Sequence, residues 1–313
     1  WWGIEILPRL NHENSDCRSF FTSAEGVGAH YIDRGSAGWR LDVADELSDS
    51  FLNEFRQAVK GRDPDSIIIG EVWENAAEKV AYGRLRPYFH GGQLDSVMNY
   101  PFRNAVCNFI LKKDGQALAD TLTEIYSEYP RCVCDCLMNI LSTHDTERIL
   151  TVLSGDSGAC DKMTNAELSE HIMDDKTYAK GCRALKLASV IQYAVYGVPS
   201  LFYGDEAGLY GGRDPFCRKA YPWGREDKQL LSHYRRLGEI RKSSEFASAF
   251  STGEFSVLNS GEGFIVFERR SGTGQRIICA ANSGESEIPV GFSGTDIVTG
   301  EAVHGAIAPH RAV

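Results

Sequence analysis

The chain has 313 residues, with 33 lysines and arginines against 43 aspartates and glutamates and a formal net charge of −10 at pH 7. Hydrophobic residues make up 42% and charged residues 24%, the profile of a globular chain able to bury a sizeable core, as one large domain or two. The acidic balance argues against a phosphate-tracking nucleic-acid partner, and no stretch approaches the roughly 18 consecutive apolar residues of a membrane span. The chain opens on Trp1 without a visible signal or transit peptide. The nine cysteines are too sparse for a disulfide scaffold and odd in number, so most are expected to be reduced thiols in a cytoplasmic protein. Cys132, Cys134 and Cys136 form a C-x-C-x-C run. The run lacks the usual metal-knuckle spacing and reads as an extended, small-hydrophobe lead-in to a buried strand.

In chain order, strands and helices alternate over residues 1–246. Gly38–Ala44 is a short apolar strand. The helix after it is capped by Ser48 or Asp49, carries Phe51, Leu52, Phe55 and Val59 as its apolar stripe, and is expected to stop at Gly61. Ser66–Trp73 is a β-branched buried strand, and Leu94–Asn99 a weaker one. Helical sequence covers Asn104–Leu111 and Ala117–Tyr129, halted by Pro130. Leu137–Ser142 is a strand. Ala184, Leu187, Ala188, Ile191 and Val195 recur at helical spacing, with Gly197 and Pro199 beyond them. Ser200–Tyr203 is the next strand, and a helix spans Asp227–Lys242. Over 247–313, short strands alternate with turn sequences such as NSGEG and SGTG. They are Phe255–Leu258, Phe264–Arg269, Arg276–Ala281, Glu287–Val290, Thr295–Val298 and Ala306–Val313. This part reads as a small all-β sandwich.

Repeated β–α units imply a parallel sheet with helices outside, either doubly wound or a (β/α)8 TIM barrel. The chain shows no G-x-G-x-x-G turn, which disfavours a dinucleotide fold. Polar residues at the C-terminal ends of strands favour the barrel, whose active sites form there. They are Asp42 and Asp45, Glu71, Asn99, His144 and Asp145, and Asp205 and Glu206; of these, the carboxylates Asp42, Glu71 and Asp145 are the ones expected to converge. Like charges gathered in one cleft favour a protonated acid beside an ionised carboxylate, the pair that glycoside hydrolysis uses. Arg40 is two residues before Asp42 on a strand and so shares its face. Aromatic faces pack on the C–H faces of sugars. Of Trp73, Tyr100 and Tyr203, Trp73 is best placed to do so.

The segments GWRLDVADE at 38–46, GEVW at 70–73 and STHDTER at 142–148, in this order, resemble three short motif regions of the α-amylase family (glycoside hydrolase family 13). YGDEAG at 203–208 is similar to the family's eighth-strand segment. LPRLN at 7–11 and QLDSVMNY at 93–100 resemble the neopullulanase, cyclomaltodextrinase and maltogenic amylase branch. The resemblance spans essentially the whole chain. It implies Asp42 as nucleophile, Glu71 as general acid and then base, and Asp145 as stabiliser of the oxocarbenium-like transition state. It also implies that Arg40 positions Asp42, that His144 binds sugar hydroxyls, and that Glu46 shapes acceptor binding. Where the branch usually reads V-A-N-E, this chain has Val43, Ala44, Asp45 and Glu46, which adds a charge and removes a donor.

The implied protein is a retaining hydrolase of α-1,4 glucosidic bonds, with α-1,6 as a second linkage and maltooligosaccharides, cyclodextrins, pullulan or starch as partner. An α-glucan transglycosylase and a non-catalytic amylase-like carbohydrate-binding protein are the alternatives. No cofactor is implied as required. Calcium, common in the wider family, belongs to the lid region, so no metal site is assigned, and the resemblance carries over no oligomeric state. The family's D-x3-N-H region is not found, and by this register Gly38–Ala44 is barrel strand four. The expectation is therefore an incomplete barrel of strands four to eight over residues 1–246, followed by the C-terminal β domain over 247–313. Five strands leave two unpaired edges, so this segment alone is expected to aggregate or be inactive.

Overall fold

The structure, a computed structural model, describes residues 2–313 and divides into two units. The first holds the residues up to Met98 together with Glu128–Met138; the second holds Asn99–Ser127 and Asn139–Val313. No helix among the described residues is long and apolar enough to cross a membrane.

The first unit is built on parallel strands. Ile67–Gly70 lies in the middle, with Gly38–Leu41 on one side and Ser96–Val97 on the other. The β-branched run Ile67–Ile69 supplies the central strand, as its composition predicts. At Gly38 (φ +155°), a Cβ would sit 2.0 Å from the carbonyl oxygen of Ile67, so glycine is what lets the outer strand begin there. The helix Asp49–Arg62 follows. Ser48 Oγ accepts the Phe51 N–H at 3.3 Å, and the expected stripe of Phe51, Leu52, Phe55 and Val59 is buried. Trp39 sets its ring edge on Phe55 at 5.7 Å and donates its indole N–H to the Gly28 carbonyl.

Two expectations fail in this unit. The helix does not stop at Gly61 but runs through Arg62 to an extended cap at Asp63, because Asp63 precedes Pro64 and the proline ring bars helical backbone there. The C-x-C-x-C segment is not extended. Pro130 starts a helical turn, Arg131–Asp135, closed by an Arg131–Asp135 ion pair at 2.9 Å. Cys132 is therefore exposed and Cys134 buried, and burial pushes the Cys134 thiol up to about 12. All nine cysteines are free thiols.

In the second unit the helix Tyr100–Lys112 starts four residues before the expected 104. Asn99 Oδ1 accepts the Phe102 N–H at 3.1 Å and Pro101 fits the first turn. Asn99, 2% exposed, also donates to Asn139 Oδ1 at 2.8 Å, so this strand-end residue is a buried cap. The long helix Asp175–Ala194 is capped by Asp174 and ends before Gly197, as the spacing predicts. The strand expected at Ser200–Tyr203 is instead Val198–Ser200, paired with Met138–Ile140. The Tyr203 carbonyl is taken by Arg148 Nη1 at 2.5 Å, which draws that residue out of any ladder. Arg148 is fully buried and also meets Asp205 Oδ1 at 3.0 Å, with its guanidinium 4.0 Å from the Phe202 ring centroid.

The C-terminal sheets contain a four-stranded antiparallel sheet, in the order Arg311–Ala312, Arg276–Asn282, Phe264–Arg270 and Glu254–Gly261. Ile288–Thr295 pairs separately with Ala302–Ile307. Val266, Ala280, Val303 and Ile307 form their core. The strand expected at Thr295–Val298 is a turn, because Asp296 Oδ1 accepts the Val298 N–H at 2.8 Å. The expected strand 306–313 is broken around Pro309, which has no N–H, and His310 at φ +53°.

Two measurements check this packing. His233, on the helix Lys228–Lys242, meets Ser189 Oγ on the helix Asp175–Ala194 at 2.9 Å. Burial, aided by the Lys186 charge, lowers its pKa to about 4. The unfolded chain protonates it near 6.5, so its contribution is present above about pH 6.5 and is lost as pH falls toward 4. The urea midpoint should fall over that window, and His233→Gln should flatten the fall. Separately, Asp205→Asn leaves the buried Arg148 without its counter-charge and should cost about 3–5 kcal/mol in urea unfolding.

Candidate active site

In the first unit, the parallel ladder runs one step past the strands. The Glu71 N–H donates to the Leu41 carbonyl at 2.9 Å and the Ala44 N–H to the Glu71 carbonyl at 3.2 Å. Between these bonds the chain carries Asp42 and Val43. Val43 is a β-branched residue held in left-handed backbone (φ +43°, ψ 62°) before a 3-10 turn at Ala44–Glu46, a conformation that costs about 1–3 kcal/mol. Its N–H donates to Glu71 Oε2 at 2.8 Å, so the strained residue points its donor at a carboxylate.

Glu71 is 4% exposed. Besides Val43, its Oε2 faces Arg40 Nη2 at 3.0 Å, and its Oε1 accepts the Trp73 indole N–H at 3.2 Å. The other end of the same guanidinium, Arg40 Nη1, donates to Asp42 Oδ1 at 2.5 Å. Asp42 is open to solvent, with its side chain 72% exposed. One arginine thus spans an exposed and a buried carboxylate from adjacent strands, and Trp73, nearly half exposed, borders the buried one. The structure brings Arg40, Asp42, Glu71 and Trp73 together as a set.

Glu46 is also in this unit, and its carboxylate is engaged. Oε1 accepts the Trp2 indole N–H at 2.9 Å and the Tyr82 hydroxyl. Partial burial pushes its carboxyl up, but those two hydrogen bonds and the charges of Arg9 and Arg86 together hold the group below the usual carboxylate range. The extra charge at Asp45 is matched locally. Lys79 Nζ lies 2.9 Å from its Oδ2 and 2.5 Å from Glu74, and Tyr88 donates to its Oδ1. Buried Arg86 donates to the Asp45 and Leu47 carbonyls and pairs with Asp49 at 3.1 Å. Sequence reasoning missed Lys79, Tyr88 and Arg86. They lie 34 to 43 positions from Asp45, flanking the short hairpin Val80–Ala81 and Arg84–Leu85, which is too brief to carry a periodic signal.

In the second unit, Asp145 Oδ2 meets His144 Nε2 at 3.1 Å and Oδ1 faces Arg218 Nη2 at 3.4 Å. The Asp145 N–H is fixed by Thr143 Oγ1 at 3.1 Å. Arg218 also pairs with Asp214 at 2.6 Å and donates to the His144 carbonyl. Arg218 is a further unanticipated member, brought in by the short 3-10 turn Phe216–Arg218. Asp205, another strand-end acid, is buried against Arg148. Tyr100 is buried in its helix, whereas Tyr203 is exposed, with its hydroxyl on the Lys219 carbonyl.

The α-amylase catalytic-domain family matches residues 3–236. A cyclomaltodextrinase from a Bacillus species is 35% identical over 261 residues, covering 82% of this chain and 39% of that protein. Among solved structures, the cyclic α-maltosyl-(1→6)-maltose hydrolase of Arthrobacter globiformis superposes with a TM-score of 0.77 at 28% identity. It covers 98% of this chain and 61% of its own. The type III pullulan hydrolase of Thermococcus kodakarensis gives 0.79 at 28% identity, covering 100% of this chain and 50% of its own. This chain spans about two fifths of the length of the curated cyclomaltodextrinase it matches. The fold is that of the α-amylase catalytic domain, of the TIM-barrel class, joined to C-terminal β-sheets, and the chain belongs to the α-amylase family of glycoside hydrolases.

Proposed function

We propose that this chain carries the reacting centre of a retaining α-glucan hydrolase that cleaves α-1,4 glucosidic bonds of maltooligosaccharides, cyclodextrins, pullulan or starch, with α-1,6 bonds as a second linkage. The observation that carries the reading is the Arg40 guanidinium between exposed Asp42 and buried Glu71. The relatives named above, which act on cyclomaltodextrin, cyclic maltosyl-maltose and pullulan, support the substrate class. On this reading residues 1–246 supply barrel strands four to eight and 247–313 the C-terminal β domain; the family match ending at residue 236 supports that division.

The chemistry follows a double displacement. Asp42 attacks the anomeric carbon while Glu71 gives its proton to the departing glycosidic oxygen. The glycosyl–Asp42 ester then yields to water whose proton returns to Glu71. Arg40 aims the Asp42 oxygen and disperses its charge, and a planar fork is needed to reach both carboxylates. Trp73 fixes Glu71 through its indole N–H and offers its exposed face to a sugar ring. Asp145 and His144 hold sugar hydroxyls and stabilise the positive charge of the transition state. Glu46 acts on the acceptor side through the Trp2 and Tyr82 rings that it anchors.

The test is made on the protein as the cell makes it. Glu71→Gln should lower kcat on maltotriose by about 10²–10⁴-fold yet keep the first release of fluoride from an α-glycosyl fluoride, whose leaving group needs no proton. Hydrolysis of the ester should slow, and turnover should be restored by azide, which needs no base. Asp42→Asn should lose both activities, and near-normal turnover by either variant would refute the roles. Arg40→Lys keeps the charge but loses the fork, so kcat should fall with little change in KM. The first product seen by proton NMR should be the α-anomer, and a β-anomer would contradict the mechanism.

A further inference from the structure

Outside the carboxylates described above, the second unit gathers three side chains of metal-binding chemistry. Asp156 opens the short helix Ser157–Cys160, and Cys160 is its last residue, so the two side chains stand one turn apart on the same face. The Asp156 carboxylate makes no capping bond to its own helix. His171 closes the helix Asn165–Glu170, whose start is fixed by a reciprocal capping box between Thr164 and Glu167. His171 Nε2 lies 2.6 Å from Asp156 Oδ2, and the Cys160 thiol donates to the same oxygen at 3.6 Å. A carboxylate oxygen, an imidazole nitrogen and a sulfur therefore lie within 4.8 Å of one another.

We propose that Asp156, Cys160 and His171 bind one zinc-type divalent cation, with water as the fourth ligand. Zinc holds sulfur at about 2.3 Å and nitrogen or oxygen at about 2.0–2.2 Å in a tetrahedron, so shifts of about 1 Å bring the three atoms into range. The donor set fits a borderline-soft ion better than calcium, which takes oxygen ligands alone. Cys160 is 1% exposed while His171 and Asp156 keep side-chain exposures of 15% and 12%, so the site has a dry floor and a wet entrance. A Cβ at Gly212 would lie 3.1 Å from Leu168 Cδ2 and 3.3 Å from Cys160 Cβ, so Gly212 and Leu168 pack closely around the buried end of the site. Burial first, and then the charges of Asp156, Glu147 and Asp161, push the Cys160 thiol up to about 12. Lys219 is among the groups that face it from the opposite sign. A bound cation offsets that negative field. On binding, the S–H bond breaks, a sulfur–zinc bond forms and the proton passes to water. The ion would tie the helices on either side of residues 161–164 to each other.

The test loads the full protein with zinc chloride, dialyses it and counts metal by mass spectrometry. Wild type should retain one zinc per chain, which Cys160→Ser and His171→Ala should each abolish while circular dichroism stays unchanged. Cobalt chloride should give a thiolate charge-transfer band that Cys160→Ser removes and Cys136→Ser leaves in place. Zinc retained equally by all variants would mean an adventitious ion only, and zinc absent from wild type would mean an ordinary His–Asp pair; either result overturns the proposal. If both variants lose their fold, the cobalt band decides: its absence in wild type overturns the site.

Discussion

A carboxyl group taken out of water needs protein partners in place of its lost hydration, and Glu71 imposes that constraint on its whole surroundings. It sits at the end of the central strand of the first unit's sheet with 4% exposure. Val43, Trp73 and Arg40 meet it. Each has a structural consequence. Val43 accepts left-handed backbone to aim its N–H. Trp73 stays near the surface because its indole is tethered. Arg40 lies along the sheet face, and its second arm fixes Asp42. The exposed acid is thereby positioned by the group that keeps the buried acid paired.

A buried charge organises the other unit. Arg148 reaches Asp205 and the carbonyls of Tyr203 and Cys217. It therefore joins the segment after Met138–Ile140 to the segment after Val198–Ser200. Asp145 and His144 come three and four residues before it on the same loop. Burial pushes the Asp205 carboxyl up against the pull of Arg148, which marks this acid as part of the scaffold. Asp145 and Asp205 look alike in the sequence as acids following strands. They differ in what covers them.

Much of the first unit could be read directly. The run Ile67–Ile69, the stripe Phe51–Val59 and the cap at Ser48 obey local rules of periodicity and capping, and Arg40 and Asp42 share a face because strand residues alternate. The errors fall where a distant or neighbouring group outweighs the local signal. Gly61 suggested a helix end, but Pro64 set it. Alternating cysteines suggested extension, but Pro130 nucleated a turn. Tyr203 looked like strand until Arg148 took its carbonyl. The charge match of Asp45 by Lys79, and the tether of Glu46 to Trp2 and Tyr82, depend on loop geometry that no period announces.

The central claim is that Asp42, held by the arginine that pairs with Glu71, is the atom donor that bonds to sugar. Treating the protein with a fluorinated α-glycosyl fluoride, which slows release of a glycosyl–enzyme, and mapping the labelled peptide by mass spectrometry tests this directly. One glycosyl increment is expected on the peptide carrying Asp42, lost in Asp42→Asn. An increment on a peptide carrying Asp145 instead, or steady turnover with no covalent adduct at any residue, would contradict it.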